Sequence, residues 1–378
     1  MSHLIICSGG TGGHFYPALA LAREFSSRGG RVTLLLSGQQ ALEQEEAVLQ
    51  CGLSCREIPS VRVPRTLGQL LLFPFRFLSC CLRVRRVFRE LSGDGLLSMG
   101  SFTAVVPCFC WSRQSGPLIL HEGNTYMGQA NRLFARKADL ILLSLPLSNE
   151  GQLKGSSSRV VGMPLREALL EAARNPLGGA EREALLESMG LSSRKRTLLV
   201  FGGSQGARAI IRLVQEALPL LAKRADALQL ICLTGTEDNG ALEEACREAG
   251  IAARICRADS RIQRCYQAAD GVLCRAGASS LCELALFRKP AFLIPLPSAK
   301  DNHQYWNAKT LADSGAAILL PQSTTTPEVL SQSLGEWLDA PQAMEEAARR
   351  LGDFAHPQAT AQAIDAIQEV LEAAARRP

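Results

Sequence analysis

The 378-residue chain lacks several motifs, and each absence removes a class of function. No G-x-x-x-x-G-K-[ST] stretch occurs, which excludes the phosphate loop of a P-loop phosphotransferase. No G-x-S-x-G elbow occurs, so a serine nucleophile of the hydrolase type is not expected. Histidines number five and no two cysteines stand at C-x-x-C spacing; no Cys/His cluster matches a zinc site, and no metal is expected. No long uninterrupted apolar run is present: the most apolar stretch, Leu67–Val87, is broken by Pro74 and by several arginines and makes a poor membrane-spanning helix. No basic segment precedes the first apolar run at Leu4, so no signal peptide is expected.

Cysteine is not scarce, but its thirteen copies are an odd number in a long chain, and Cys7, Cys232 and Cys274 lie inside apolar stretches. They read as small core residues and free thiols of a reducing cytosol. The length and a hydrophobic content of 47% suit two domains with large cores. The net charge of +5 is unevenly spread, with residues 1–162 at +7 and the remainder at −2, so the first half suits an anionic partner.

Leu4-Ile5-Ile6-Cys7-Ser8 runs into Gly9-Gly10-Thr11-Gly12-Gly13-His14 and then a helical pattern from Pro17. A strand, glycine loop and helix in that order bring backbone N–H groups and a helix N-terminus to an anion. Gly29-Gly30 ends the helix and Arg31–Leu36 is the next strand, a β-α-β unit that implies a parallel sheet. The dinucleotide fingerprint is missing: Phe15 stands where its last glycine belongs, and Ser37-Gly38 ends the second strand without a carboxylate. About 190 residues later the arrangement recurs, with Lys195–Phe201 as strand, Gly202-Gly203-Ser204-Gln205-Gly206-Ala207 as loop and a helix from Ala209. The chain is therefore expected to be α/β, with two Rossmann-like, doubly wound parallel-sheet domains facing across a cleft.

Residues 62–89 carry Arg62, Arg65, Arg76, Arg83, Arg85, Arg86 and Arg89 and no acidic residue, interleaved with Leu70, Leu71, Leu72, Phe73, Phe75, Phe77 and Leu78. Such a stretch suits an anionic membrane surface; two ordinary core helices with a solvated basic face are the alternative. Pro117–Asn124 reads as a strand ending in His121, Glu122 and Asn124, at the end where ligands of parallel sheets sit. A hydrogen-bonded structural pair is the plainer account of His121 and Glu122. Gly271–Arg275 is a strand that turns into a helix which Ser279 or Ser280 could cap. A large polar cleft with two glycine loops can hold the diphosphate of a nucleotide sugar, and one base suffices to deprotonate an acceptor hydroxyl.

Five segments occur in one order: the opening loop to His14, His121-Glu122-Gly123-Asn124, Gly202–Ala207, Arg275-Ala276-Gly277-Ala278 with Glu283, and Gln304-Tyr305-Trp306-Asn307-Ala308. Over essentially the whole chain this resembles the MurG family of N-acetylglucosaminyltransferases of peptidoglycan synthesis, glycosyltransferase family 28. The resemblance implies a GT-B fold and inverting transfer of N-acetylglucosamine from UDP-GlcNAc to the C4 hydroxyl of the muramoyl sugar of lipid I, giving lipid II and UDP. It implies a first domain of residues 1–162 for acceptor and membrane, a second of 163–353 for UDP-GlcNAc, and a closing helix in 354–378 that packs back on the first. His14 is then the candidate general base. UDP-GlcNAc would meet Thr11, Gly12, Gly13, Asn124, Arg166 (phosphate), Ser204 (phosphate), Ala278, Glu283 (ribose) and Gln304 (sugar), with uracil read by backbone near Ala258-Asp259. The acceptor diphosphate would meet Gly10, Thr11, Gly100, Ser101 and Phe102. Leu71, Phe73, Phe75, Arg76, Arg83 and Arg86 would form a membrane patch, placing a peripheral enzyme on the cytoplasmic face of the inner membrane. No tightly bound cofactor and no nucleic acid is implied; other cell-wall synthesis proteins are further candidate partners.

The chain departs from the family pattern at His303 (usually Gln), Met163 (usually Asn), Gly123 (usually Gln) and in Gly100-Ser101-Phe102-Thr103-Ala104-Val105, where Gly-Gly-Tyr-x-Ser-Gly-Pro is common. Another UDP-sugar:lipid transferase, such as one using a diacylglycerol, and a non-catalytic UDP-sugar-binding membrane protein stand as alternatives. Helix capping by His14, dipole complementation by Glu283 and packing by Tyr305 and Trp306 are the plainer roles of those residues.

Overall fold

The structure, a computed structural model, describes residues 2–9, 12–38, 40–61, 64, 66–112, 115–202, 207–235 and 239–376. Gly10, Thr11, Ser204 and the arginines at 62 and 65 therefore lie outside the described residues. The chain divides into two compact units, residues 1–166 with 358–378, and residues 167–357.

The first unit alternates strand and helix: β1 (His3–Cys7), α1 (Gly12–Ser27), β2 (Arg31–Leu36), α2 (Ala41–Gln50), β3 (Ser54–Glu57), α3 (Leu67–Leu91), β4 (Gly95–Ser98), α4 (Val105–Cys110), β5 (Leu118–Glu122), α5 (Gln129–Phe134), β6 (Leu140–Leu143) and β7 (Ser158–Val160). The seven strands are parallel in the order β3-β2-β1-β4-β5-β6-β7. The apolar run of β1 does not alternate because both faces of the sheet are covered. Leu4 and Ile6 join the core under α1, while Ile5 and Cys7 join the core under α3 and α4.

The second unit holds α6 (Glu167–Arg174), α7 (Gly179–Ser188), β8 (Arg196–Phe201), α8 (Ala207–Leu221), β9 (Leu228–Leu233), α9 (Gly240–Glu248), β10 (Ala253–Cys256), α10 (Ile262–Ala268), β11 (Gly271–Cys274), α11 (Ala278–Phe287), β12 (Ala291–Leu293), α12 (His303–Asp313), β13 (Ile318–Leu319), α13 (Pro327–Asp339) and α14 (Pro341–Leu351). Its parallel sheet runs β10-β9-β8-β11-β12-β13, the winding of the first sheet repeated. The final helix, α15 (Ala359–Ala375), returns to the first unit and packs on α1. Its Ile364, Ile367 and Leu371 are buried there; removing each such side chain from water is worth about 1.5–3 kcal/mol. Arg28 to Asp365 and Arg159 to Glu369, both at 2.5 Å, flank this seam.

Each sheet reverses its strand order once, between β1 and β4 and between β8 and β11. Ligands of doubly wound sheets bind beyond the carboxyl ends of the strands at such a reversal. Gly9 and Gly12 stand at the first reversal, after β1, and Gly202 at the second, after β8.

Two local expectations are corrected. The basic, apolar stretch forms one 25-residue helix rather than two, with Pro74 inside it on an exposed position. Helix α11 is capped neither by Ser279 nor by Ser280: it starts at Ala278 after Gly277, whose extended backbone makes the turn, so both serines are already helical. All thirteen cysteines are free thiols.

Candidate functional site

In the first unit the site is built where β1 and β4 end. Met99 N donates to Cys7 O at 3.0 Å, which holds the two strand ends level. Gly9 then passes so close to the end of β2 that an added Cβ would lie 2.6 Å from Ser37 O, so a side chain there would push the loop away. His14, in the first turn of α1, is half-buried, and its Nδ1 donates to Met99 O at 2.8 Å. A carbonyl only accepts, so Nδ1 carries the hydrogen and Nε2 is the lone-pair nitrogen of the neutral ring. Gly100 follows with φ +80°, and Ser101 has φ 68° and ψ 161°, backbone that glycine adopts freely and serine rarely does. Thr103 Oγ1 donates to Ser101 Oγ at 3.4 Å, and Phe102 is exposed.

The end of β5 supplies the second wall. Glu122 is buried and receives four hydrogen bonds: Asn124 N (2.9 Å) and Asn124 Nδ2 (3.0 Å) on Oε1, and Gly128 N (2.8 Å) and Asn131 Nδ2 (2.9 Å) on Oε2. Its carboxylate organises the loop that carries Asn124. Asn131 also donates to His121 O at 2.9 Å and stands 3.2 Å from the position a Cβ on Gly100 would take, which ties this loop to the β4 loop. His121 is buried, its Nε2 3.2 Å from Ser144 Oγ. Burial, aided by nearby His14, pushes its pKa down to about 3, so the ring is neutral. Met163, which replaces the family asparagine, is buried with its sulfur 3.7 Å from Ser144 Oγ, a thioether in place of an amide. Arg166 is exposed and lies over the Tyr16 ring, 5.4 Å from its centroid. The structure thus brings Gly12, Gly13, His14, Gly100, Ser101, Asn124 and Arg166 to elements at this end of the first unit. Tyr16 and Asn131 were missed from sequence. A tyrosine beside a histidine in a helix start was the available signal for the first; Asn131 gave none.

In the second unit the loops after β11 and β12 carry the candidate donor residues. Arg275 is buried, and its Nη1 donates to Ile294 O (3.1 Å) and Pro295 O (3.2 Å), binding the two loops; burial pulls its pKa below the usual arginine value. Asn307, fully buried in α12, donates to Ala276 O at 3.0 Å, just before Ala278. Glu283 is half-buried one turn further into α11, and buried Tyr266 donates its hydroxyl to Oε2 at 2.8 Å. Tyr266 stacks on Phe287 at 5.0 Å, so the carboxylate is held by a rigid partner. Gln304 accepts from Leu296 N at 3.0 Å through its carbonyl oxygen, which leaves its amide hydrogens as the donors. His303, in place of the usual glutamine, has Nδ1 2.8 Å from Lys300 O. Asp259 accepts from Arg261 N at 2.8 Å and lies 3.5 Å from Arg254, which fixes the turn at Ala258. Tyr266 was also missed, a lone tyrosine in a short helix being a weak signal, and Asn307 stood in a quoted segment without a role of its own.

Helix α3 presents the basic, apolar surface of the first unit. Leu71 and Phe75 are 70% and 73% exposed, and Arg76, Arg83 and Arg86 are exposed, Arg86 pairing with Glu90. Phe73 differs: it is half-buried, stacks on Phe77 and packs against the core. Phe77 meets Phe109 of α4 edge-to-face at 5.2 Å, and α4 continues directly from the Phe102 turn. The apolar helix and the β4 loop are therefore contiguous. Among the described residues no helix is long and apolar enough to cross a membrane, and no group of three or more His, Cys, Asp or Glu side chains could hold a metal ion.

Comparison with known proteins matches residues 4–143 to the glycosyltransferase family 28 N-terminal domain and residues 197–369 to the family 28 C-terminal domain. A curated relative in Ectopseudomonas mendocina (strain ymp), named UDP-N-acetylglucosamine--N-acetylmuramyl-(pentapeptide) pyrophosphoryl-undecaprenol N-acetylglucosamine transferase, is 39% identical over 376 residues, 98% of this chain and 99% of the relative. A relative of the same name in Azotobacter vinelandii is 35% identical over 371 residues, 98% and 99% of the two chains. Among solved structures, the MurG of Acinetobacter baumannii superposes with a TM-score of 0.78 at 27% identity, covering 98% of this chain and 100% of that one. With two doubly wound units of the GT-B class and full-length relatives above 30% identity, this chain belongs to the family of UDP-N-acetylglucosamine--N-acetylmuramyl-(pentapeptide) pyrophosphoryl-undecaprenol N-acetylglucosamine transferases within glycosyltransferase family 28.

Proposed function

We propose that this chain transfers N-acetylglucosamine from UDP-GlcNAc to the C4 hydroxyl of the muramoyl sugar of lipid I, with inversion, forming lipid II and UDP. Beyond family membership, one observation carries the reading: the Nδ1 hydrogen bond from His14 to Met99 O at the strand-order reversal of the first sheet. In the reaction the acceptor C4 oxygen attacks the anomeric carbon of the donor. The bond from that carbon to the β-phosphate oxygen breaks, and the hydroxyl proton passes to His14 Nε2. A base within hydrogen-bond reach of the hydroxyl contributes about 10²–10⁴-fold.

The charge on the departing UDP is met by Arg166 and by helix N-termini, which favour anions. Glu283, steadied by Tyr266, takes the ribose hydroxyls, the amide hydrogens of Gln304 and the Ala278 backbone take the sugar, and the backbone near Ala258-Asp259 takes uracil. Asn124 contacts the donor sugar. Gly12 and Gly13, with Thr11, meet UDP-GlcNAc, and Gly100, Ser101 and Phe102, with Gly10 and Thr11, line the acceptor diphosphate. Nothing in this chemistry requires a tightly held cofactor.

Lipid I carries a polyprenyl chain, so its enzyme works at a bilayer surface. The exposed leucines and phenylalanine of α3 with Arg76, Arg83 and Arg86 support peripheral attachment to an anionic cytoplasmic leaflet, apolar side chains dipping in and guanidinium groups on headgroups. Incubation with radiolabelled UDP-GlcNAc and a lipid I analogue tests the reading. Label in a disaccharide-lipid product supports it. Label in a glycerolipid but not in the lipid I product would move the acceptor assignment, and binding of UDP-GlcNAc without transfer to any lipid would end it.

A further inference from the structure

Arg166 ends the first of the two chain segments that make up the first unit, and its guanidinium pairs with no carboxylate among the described residues. Its contact is the face of Tyr16, 5.4 Å from the ring centroid. The same ring also meets the start of α1: a Cβ added to Gly12 would lie 3.2 Å and 3.3 Å from Tyr16 Cε2 and Cδ2. Tyr16 is 48% exposed, and it is steadied edge-to-face, at 5.5 Å, by buried Phe15. One half-exposed ring therefore touches both the start of α1 at Gly12 and an arginine with no carboxylate partner among the described residues.

The geometry matters for an anion. An arginine side chain at the surface samples many rotamers, and ordering it costs free energy each time a ligand binds. A cation held over a ring by its charge needs no oxygen acceptor for its five N–H donors, so the contact leaves them to a phosphate. The helix N-terminus beside it adds favourable potential for the same charge.

We propose that Tyr16 is a positioning residue for the diphosphate of the sugar nucleotide: it holds Arg166 beside the start of α1 before the donor arrives. The inference rests on the reading of Arg166 as the donor-phosphate contact. Steady-state kinetics on the full chain, with UDP-GlcNAc and a lipid I analogue varied separately, test both. Arg166→Ala raises the KM for UDP-GlcNAc. Tyr16→Leu raises it about two- to fivefold, the equivalent of an exposed cation–π contact, with kcat and thermal midpoint little changed. Tyr16→Phe, which keeps the ring face, restores the KM. In the Arg166→Ala background Tyr16→Leu adds nothing. If Arg166→Ala leaves the donor KM unchanged, the donor-phosphate reading falls and this inference with it. If Arg166→Ala raises the KM but Tyr16→Leu does not, or its effect adds fully in the double variant, or only the acceptor KM moves, the positioning role alone is overturned.

Discussion

His14 and Met99, 85 positions apart, are joined by a 2.8 Å hydrogen bond from Nδ1 to the main-chain carbonyl. The bond spans the reversal between β1 and β4 and sets which ring nitrogen can accept a proton. His14→Ala is expected to lower kcat by about 10²–10⁴-fold with the donor KM changed little. A His14→Ala enzyme with near-normal kcat would remove the base from the mechanism.

Glu122 gathers four donors from Asn124, Gly128 and Asn131. Glu122→Gln turns an N–H toward donors and loses hydrogen bonds to a charged acceptor, each worth about 1.5–3 kcal/mol. Denaturant unfolding should show the first unit less stable by about 2 kcal/mol, together with reduced transfer because the Asn124 loop loosens. Wild-type stability would show the network to be dispensable.

The buried His121 ring, with its pKa pushed down to about 3, gives stability a definite pH dependence. The folded chain holds this ring neutral, whereas the unfolded chain protonates it near its ordinary value of about 6.5. Its contribution is therefore complete above about pH 6.5 and is lost as pH falls toward about 3. His3 and His356 are also lowered by burial and act in the same direction. Unfolding free energy measured from about pH 7.5 down to about pH 4.5 should fall less steeply in His121→Asn than in the wild type. Parallel curves would contradict the assignment.

Ser101 holds a backbone conformation that suits glycine. Ser101→Gly should relieve it and raise stability by about 1 kcal/mol, seen as a shift in denaturant midpoint with an unchanged slope. A lowered midpoint would mean that the Thr103 to Ser101 contact outweighs the strain.

The α3 surface separates two kinds of apolar residue. Leu71→Ser with Phe75→Ser should weaken binding to vesicles containing anionic lipid at least about tenfold while leaving thermal stability unchanged. Phe73→Ser should lower stability, because that ring packs on Phe77 and the core. Undiminished vesicle binding in the first variant would sink the membrane reading.

Much of the fold was legible because both sheets are buried on two faces: unbroken runs such as Leu4–Cys7 and Leu198–Phe201, each followed by glycine and a helical pattern, mark parallel strands. The stretch around Pro74 was harder, since an arginine-rich apolar segment has the same period whether it forms one helix or two. Helix α11 was misjudged at its cap because two serines in a first turn look like caps, and only the backbone angles at Gly277 distinguish the start.

By itself the sequence determined the doubly wound class, the two strand–glycine–helix successions and His14 at a helix start beyond a strand end, while Glu283 and Gln304 were found through the resemblance of their segments to the family. All of these are local patterns, written within a turn or two of chain. The partners of those residues were decided only by the tertiary structure: Met99 for His14, Tyr266 for Glu283, Leu296 for Gln304 and Tyr16 under Arg166. Hydrogen bonds and ring contacts between segments depend on strand order and register, and neither leaves a periodic mark along the chain.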